Sequence, residues 1–321
     1  MSNRRICRDH YLLRLRIEGE LPPTQPGQFV QLGCRPPNGW VDLPTMLGET
    51  VDWTPGHPPR LHQPELCEPL ALLRRPFSLA GRGEDEHGTW IEIIHRVVGV
   101  GTRWLAELEQ HDPVDLIGPL GNAFRLPEGK SIGLLVGGGV GLPPMFYLAE
   151  ALAQANWRAI GFVGAMSRDL LAVHLVKGAT VPTDGTPALT VEQFARHGFP
   201  TVITTDDGSM GMTGRITAGV ELALRNLREE ERRQAVLFTC GPEPMMRAAA
   251  ALAEQFGVDC QVCLEQAMAC GMGTCQSCIV KIDPTSTGDV PHGQTAEGRP
   301  WRYRLACTDG PVFDARDVVW H

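Results

Sequence analysis

The segment SIGLLVGGGVGLPPMFYLAEALAQ, residues 131–154, decides the fold of the central part of the chain. It begins with a continuous apolar run, turns at a group of glycines and continues as a helical pattern that opens with prolines. Strand–glycine turn–helix units of this kind are typical of α/β domains with a parallel sheet. The sequence therefore predicts that an α/β domain begins near Ser131.

Apolar runs after this segment continue the same pattern. RAIGFVGAM, TVITTD and AVLFTC indicate buried strands, VELALRNLREEERRQ indicates one helix, and a further helix is expected to begin at or near Pro242. We therefore expect a parallel α/β nucleotide-binding domain over residues 129–257.

Shorter runs before Ser131 have the composition and the Pro and Gly breaks of β-strands: YLLRLRI, GQFVQLG, WIEIIHRVV and VDLIG. They predict a small antiparallel β-barrel over residues 1–128. A proline-rich stretch at about residues 36–69 has no sustained periodicity, and it indicates a long excursion from this barrel, either a surface insertion or a lid.

The length and charge of the chain limit the number of domains and the kinds of partner that it can have. Its 321 residues are enough for two domains and a smaller module. With 29 Lys and Arg against 37 Asp and Glu, the net charge of −8 offers no positive field for nucleic acid or anionic lipid. No signal-peptide core follows the basic N-terminal residues, and no stretch approaches the ~18 apolar residues of a membrane span. We expect a cytoplasmic protein without nucleic-acid or membrane partners.

The cysteines concentrate near the C-terminus, where six of the ten follow residue 259. In a cytosolic enzyme such a group indicates metal or redox chemistry rather than disulfides. The spacing C-x4-C-x2-C followed by a distant cysteine is that of plant-type [2Fe–2S] sites. The candidate ligands are Cys270, Cys275, Cys278 and Cys307. A structural zinc site and thiols without a ligand role are the alternatives.

Neighbouring residues support the cluster interpretation. Gly271 and Gly273 suit a loop that brings backbone amides close to cluster sulfurs. Cys260 and Cys263 form a second C-x2-C, but they lie in an alternating strand pattern and are interpreted as packing residues. We expect a small [2Fe–2S] module over residues 258–321.

Two segments before Ser131 combine groups that suit a flavin nucleotide. In the first, RPFS at residues 75–78, the arginine can pair with a pyrophosphate and the serine hydroxyl can hydrogen-bond a flavin ring atom. In the second, IHR at residues 94–96 leads to a glycine turn and a helix N-terminus whose free amides suit a phosphate. The alternative interpretation of this second segment is an ordinary helix with Thr102 as its N-cap.

Two later turns suit a nicotinamide dinucleotide. The GGGVG turn at residues 137–141 follows a buried strand and allows close approach of a ligand, although it is not a G-x-G-x-x-G fingerprint. CGP at residues 240–242 ends a later strand at the same carboxyl edge. Asp206 and Asp207 also follow a strand but are interpreted as a solvated loop. After the second strand of the predicted sheet, Arg168 is the only arginine that could bind the 2′-phosphate of NADP(H). The lack of a second arginine there favours NAD(H).

These segments, in this order, resemble the ferredoxin–NADP reductase superfamily, and within it the electron-transfer subunits of bacterial heteromeric dihydroorotate dehydrogenases. The resemblance covers nearly the whole chain. Its motifs are RRPFSLAGR, VVGVGTRWL, GPLGNAF, LLVGGGVGLPPM, TTDDGSMGMTG, TCGPEPMM, LEQAMACGMGTCQSCIV and ACTDGPVF. Two features depart from it: the insertion at about residues 36–69 and the 28 residues between Cys278 and Cys307.

The resemblance implies roles for the matching residues. The residues implied for FAD are Arg75, Pro76, Phe77, Ser78, Ile94, His95, Arg96, Gly101 and Thr102. Those implied for NAD(H) are Gly137, Gly138, Gly139, Gly141 and Pro143, with Cys240, Gly241 and Pro242 near the nicotinamide. The four candidate cysteines would hold the [2Fe–2S] cluster.

The implied function is electron transfer, because FAD can exchange both the hydride of a nicotinamide and the single electrons of a cluster. The implied partner is an FMN-containing catalytic subunit that oxidises dihydroorotate in pyrimidine biosynthesis, in a heterotetramer, so that no acid–base residue of this chain needs to contact dihydroorotate. The alternatives are a reductase subunit of a ferredoxin–NADP or sulfide-linked complex, and a metal-binding interaction module that has lost its cofactors.

Overall fold

The computed structural model describes residues 2–35, 51–52, 60–61 and 73–320. The proline-rich stretch predicted at about residues 36–69 lies outside these residues except for two short paired strands. The strands are β1 Ser2–Cys7, β2 His10–Arg16, β3 Phe29–Leu32, β4 Val51–Asp52, β5 Arg60–Leu61, β6 Arg75–Ser78, β7 Gly81–Asp85, β8 Gly88–Arg96, β9 Leu116–Leu120, β10 Ile132–Gly138, β11 Arg158–Ala165, β12 Thr201–Thr205, β13 Met212–Thr213, β14 Ala235–Cys240, β15 Asp259–Cys263, β16 Ile279–Ile282, β17 Gly293–Gln294, β18 Pro300–Leu305 and β19 Val312–Asp314. The helices are α1 Val100–Glu107, α2 Leu142–Gln154, α3 Glu192–Ala195, α4 Ile216–Asn226, α5 Glu229–Gln234 and α6 Glu243–Phe256.

Two antiparallel sheets form the N-terminal part. One has the strand order β1-β2-β8-β7 and the other the order β6-β3-β9. Strand β2 shows why these runs form strands: Leu13 and Leu15 are buried on one face, while Arg14 and Arg16 point outward and pair with Glu92 and Asp85. The prediction of antiparallel β-structure in this region is confirmed.

A seven-stranded sheet follows, in the order β13-β12-β11-β10-β14-β15-β19. All of its strand pairs are parallel except β15 with β19. Every residue of β10 is buried, because helices cover both faces of the sheet. Helix α2 packs on one face, and helices α4 and α6 pack on the other. The predicted parallel α/β architecture is confirmed.

The helix predicted over VELALRNLREEERRQ is in fact two helices. Helix α4 ends at Asn226, Leu227 is extended, and α5 begins at Glu229. Helix α4 has an apolar face whose residues are buried, whereas α5 buries none of its side chains and is lined by charged groups such as Glu231, which pairs with Arg228. The apolar face that holds a helix against the sheet thus stops before the charged run begins.

The C-terminal part has a small antiparallel sheet, in the order β16-β18-β17. Strand β15, however, belongs to the seven-stranded sheet, and β19 returns to pair with it. The regions predicted at residues 129–257 and 258–321 therefore share one sheet. Cys260 and Cys263 in β15 are both buried, as the packing interpretation requires. None of the helices in the described residues is long and apolar enough to cross a membrane.

Candidate functional site

A cavity of about 1190 Å³ lies between the N-terminal sheets and the carboxyl edge of the parallel sheet. Its volume exceeds the ~300–1,000 Å³ of common small-molecule pockets, so it has room for an extended ligand. The predicted site residues that line it are Arg75, Pro76, Phe77, Ser78, Ile94, His95, Arg96, Gly101, Thr102, Gly138, Gly139, Cys240 and Pro242. Segments predicted to bind the flavin and the nicotinamide thus face one cavity, although they are far apart in the sequence.

The other predicted residues of the glycine turns, Gly137, Gly141, Pro143 and Gly241, are not among the lining residues. Gly141 has a packing function instead. A Cβ atom on it would lie 2.1 Å from the carbonyl oxygen of Cys240 and 2.5 Å from the nitrogen of Gly241. Glycine is needed here because the turn after β10 approaches the end of β14 closely. The ligand-binding role of these four residues stays a prediction.

We call the two sides of the cavity the flavin side and the nicotinamide side, after the cofactors that their segments are predicted to bind. The flavin side is built on β6 and the first turn of α1. Strand β6 pairs with β3, which puts Ser78 opposite Phe29. The alternative interpretation, in which Thr102 is the N-cap, is wrong on this point, because Gly99 occupies that position and Thr102 lies three residues into the helix. Its hydroxyl accepts hydrogen bonds from the backbone nitrogens of Val98 and Gly99, at 2.9 and 3.1 Å. The free backbone N–H groups of this first turn lie beside the cavity, where they suit a phosphate.

Two buried histidines also line the cavity, and the sequence pointed to only one of them. His95 is 1% exposed, and within the described residues neither of its ring nitrogens has a hydrogen-bond partner. His10 lies with its Nδ1 2.7 Å from the carbonyl oxygen of Arg8, and its buried Nε2 is likewise unpartnered there. Burial, with a smaller effect from His10, lowers the pKa of His95 to about 4. Burial also lowers the pKa of His10. Both rings are therefore neutral at neutral pH, and such unpartnered buried atoms are frequent at ligand sites.

The nicotinamide side contains lining residues that sequence reasoning missed. Asp206, which we interpreted as part of a solvated loop, lines the cavity, and so does Arg215 directly before α4. Arg168 is not among the lining residues. Glu265 follows β15 at the same edge, and burial raises the pKa of its carboxyl. One feature of the sequence could have identified these residues, because each lies next to the end of a strand or helix at the carboxyl edge of the parallel sheet.

The four candidate cluster cysteines lie together around one loop. The Sγ atom of Cys270 accepts hydrogen bonds from the backbone nitrogens of Met272 and Cys275, at 3.5 and 3.4 Å. Burial, and after it the neighbouring Cys278 thiol, raises the pKa of the Cys307 thiol to about 11. Hydrogen bonds, above all from the Ser277 hydroxyl, lower the pKa of the Cys275 thiol to about 6, which favours the thiolate that a metal binds.

The donor set fits a [2Fe–2S] cluster. No three His, Cys, Asp or Glu side chains of the described residues are arranged around a single metal-ion position. A [2Fe–2S] cluster does not need such a point, because its four thiolates are shared between two irons. Gly271 and Gly273 have φ angles of 70° and 85°, so the loop takes a left-handed course that turns backbone N–H groups toward sulfur.

The cysteine loop adjoins the cavity. Residues 264–268 line the cavity, and Cys270 follows two residues later. The side-chain amide of Gln31 in β3 donates a hydrogen bond of 3.3 Å to the carbonyl oxygen of Ala269. The loop therefore contacts the same sheet that carries Ser78.

Comparisons with known proteins agree with this geometry. The model of the iron-sulfur cluster binding domain of dihydroorotate dehydrogenase B matches residues 265–319, which contain the four cysteines. The electron transfer subunit of dihydroorotate dehydrogenase B (NAD(+)) of Caldanaerobacter subterraneus subsp. tengcongensis is 30% identical over 100% of this chain and 96% of its own length. The corresponding subunit of Bacillus caldolyticus is 37% identical over 77% of this chain and 80% of its own length. The chain belongs to this family of electron transfer subunits.

The fold of this electron transfer subunit family also occurs in other reductases. The solved structure of an NADH-dependent reduced ferredoxin-NADP oxidoreductase matches 99% of this chain and 88% of its own, with 25% identity and a TM-score of 0.68. The ferredoxin reductase of a carbazole 1,9a-dioxygenase shares the fold over 80% of this chain and 64% of its own, with 20% identity and a TM-score of 0.52. The resemblance that the motifs indicated, to the superfamily and to the family within it, is confirmed.

Proposed function

We propose that this chain is the electron-transfer subunit of a dihydroorotate dehydrogenase and that it passes electrons between NAD(H) and an FMN-containing catalytic subunit in pyrimidine biosynthesis. One observation carries the proposal: the flavin and nicotinamide segments face a single cavity, and the cysteine loop adjoins that cavity. When bound, FAD exchanges a hydride with the nicotinamide and single electrons with the [2Fe–2S] cluster.

The chain would bind and orient FAD through its N-terminal sheets, which we propose form a β-barrel domain over residues 1–128. The Arg75 guanidinium and the free N–H groups at the start of α1 would bind the phosphates. The Ser78 hydroxyl would hydrogen-bond the flavin ring, and Pro76 and Phe77 would exclude water from it.

The carboxyl edge of the parallel sheet, in a proposed domain over residues 129–257, would bind NAD(H). Gly138 and Gly139 leave room for the dinucleotide, and Cys240 and Pro242 form the wall next to the nicotinamide. Arg215 is the cation on this side that could meet a phosphate. The cysteines of a third proposed unit, residues 258–321, would hold the cluster.

The cysteine loop offers a surface for the catalytic partner. Cys275 is exposed, and the neighbouring Met272 is 57% exposed, which is high for a large apolar side chain. A cluster held by this loop would lie near the surface, where an FMN-containing subunit could approach it. We propose a heterotetramer of two such pairs.

Reconstitution with the catalytic subunit tests the proposal. The FMN-containing subunit would be purified alone and together with this chain, and NADH formation would be followed after dihydroorotate and NAD⁺ are added. We expect NADH only from the complex, with the catalytic subunit alone reducing artificial acceptors but not NAD⁺. A complex that reduces ferredoxin with NADH and ignores dihydroorotate would favour the alternative, a ferredoxin-linked reductase, which the likeness to the NADH-dependent ferredoxin-NADP oxidoreductase supports.

A further inference from the structure

Two buried thiols stand side by side in the wall of the cavity, and the proposed chemistry uses only one of them. Cys240 ends β14 and Cys263 ends β15, and the two residues are register partners in the parallel sheet. They are 6% and 2% exposed, and both line the cavity. Adjacent strands lie about 4.8 Å apart and register partners point to the same face, so the two sulfur atoms are neighbours.

The Cys263 thiol lies beside Cys240 and contacts a backbone carbonyl. It donates to the carbonyl oxygen of Gly27 across 3.9 Å. Cys240 is its register partner, and Cys263 is the main cause of the raised pKa of the Cys240 thiol. Because the Cys263 proton points to Gly27, a hydrogen bond between the two thiols has the Cys240 S–H as donor and the Cys263 sulfur as acceptor.

Gly27 lies in the turn that leads into β3, the strand that pairs with the flavin-side strand β6. It precedes β3, where Phe29 is the register partner of Ser78, and the carbonyl oxygen of its neighbour Gln28 accepts a hydrogen bond of 3.3 Å from the backbone nitrogen of Leu79. A Cβ atom on Gly27 would lie 2.8 Å from the Val312 side chain, so this turn is tightly held. Cys263 therefore joins the ends of β14 and β15 to the turn that leads into β3.

We propose that Cys263 is a positioning residue, which fixes the orientation of the Cys240 thiol and holds the end of β14 at a set distance from the turn that leads into the flavin strand. The inference rests on the proposed function, because that distance governs how closely a nicotinamide can approach a flavin. Nothing in the sequence pattern of β15 distinguishes Cys263 from a packing residue such as Cys260.

The ionisation of Cys240 agrees with this arrangement. The pKa of the Cys240 thiol is raised well above its ordinary value. Hydrogen bonding with Cys263 is the main cause, and burial is the second. The thiol therefore stays protonated and unreactive. Removal of Cys263 takes away the main cause and should make Cys240 more reactive.

The test compares three variants of the full chain loaded with FAD. Cys263→Ala removes the hydrogen-bonding group, Cys263→Ser keeps a group that can both accept and donate, and Cys260→Ala is the matched control. Cys260 lies in the same strand and is also buried, but it does not line the cavity. The readouts are the rate at which iodoacetamide alkylates Cys240, followed by peptide mass spectrometry, and the rate of flavin reduction at saturating NADH.

We expect Cys263→Ala to speed alkylation of Cys240 about tenfold, because the thiolate fraction rises when the pKa of the thiol falls. Flavin reduction should slow about tenfold, with the affinity for FAD unchanged. Cys263→Ser should recover most of both rates, and Cys260→Ala should resemble the wild type. Equal behaviour of Cys263→Ala and Cys260→Ala, or no recovery with serine, would overturn the inference. If NADH fails to reduce the wild type, the proposed function fails, while the alkylation rates still decide whether the hydrogen bond exists.

Discussion

The side-chain amide of Gln31 donates a hydrogen bond to the carbonyl oxygen of Ala269 and so joins the flavin-side sheet to the cysteine loop. Gln31 lies in β3 and is only 1% exposed, and Ala269 directly precedes Cys270. This contact bridges parts of the chain that are 238 residues apart. It places the proposed cluster beside the proposed flavin site.

The first prediction concerns Gly271, which packs against Gln31. In Gly271→Ala the new Cβ would meet the Gln31 side chain at 2.7 Å, at a residue whose φ is 70°. We expect iron and labile sulfide per chain to fall well below the wild-type values, because the Gln31 side chain or the loop must shift and the contact between β3 and the loop is lost. Gly288→Ala is the control, since it has a φ of 71° and open space around it. Equal cluster content in the two variants would contradict the role of the contact.

The second prediction concerns the last cysteine, whose distance from the others departs from the family pattern. Cys307→Ser should lose most of its iron and sulfide, because the Cys307 thiol is beside Cys278 at the loop. FAD content and flavin reduction by NADH should persist, whereas transfer to the catalytic subunit should stop. The control is Cys7→Ser, in β1. Wild-type iron content in Cys307→Ser would show that Cys307 is not a ligand.

The third prediction uses two adjacent arginines. Arg75 lines the cavity, whereas Arg74 pairs with Asp115 and is not among the lining residues. Arg75→Ala should weaken FAD binding by about 10–100-fold, because hydrogen bonds to charged groups contribute ~1.5–3 kcal/mol. Arg74→Ala should leave the affinity close to that of the wild type. Fluorescence titration of the apoprotein with FAD measures both, and equal losses would argue against a phosphate contact at Arg75.

The fourth prediction concerns pH. Burial lowers the pKa of His95 to about 4, so below pH 6.5 the unfolded chain binds a proton that the folded chain refuses. The free energy of unfolding should therefore fall as the pH drops from about 6.5 to 4, by roughly 3 kcal/mol from this residue. Urea unfolding at a series of pH values measures the slope.

The matching variants separate His95 from the other titrating groups. His95→Phe should reduce the slope of the pH dependence between pH 6.5 and 4, because an aromatic ring without a titrating nitrogen replaces the imidazole between Tyr11 and Phe77. The exposed His87 lies outside the cavity lining, so His87→Gln should leave the slope unchanged. A slope that His95→Phe does not alter would show that the proton uptake occurs elsewhere.

The parts of the fold that depend on local pattern could be predicted from the sequence. The apolar run, glycines and prolines of residues 131–154 determine a buried strand, a turn and helix α2 in order, and the structure has them in that order. Because parallel strands end at one edge, the meeting of the glycine turn with Cys240 also follows from the sequence.

Features that depend on strand order and register could not be predicted in this way. His10 reaches the cavity because β2 pairs with β8 and puts it opposite Arg96. Cys240 and Cys263 become neighbours only because β15 lies next to β14. The end of α4 depends on where its apolar face stops contacting the sheet, which charge and helix propensity alone do not reveal.

The most direct test of the central claim is the visible spectrum of the anaerobically purified chain, with FAD, iron and labile sulfide quantified, before and after NADH is added. The account predicts one FAD and two irons per chain, as a [2Fe–2S] cluster requires, and bleaching of the absorption by NADH. A protein that contains zinc and no flavin, and whose spectrum NADH leaves unchanged, would contradict it.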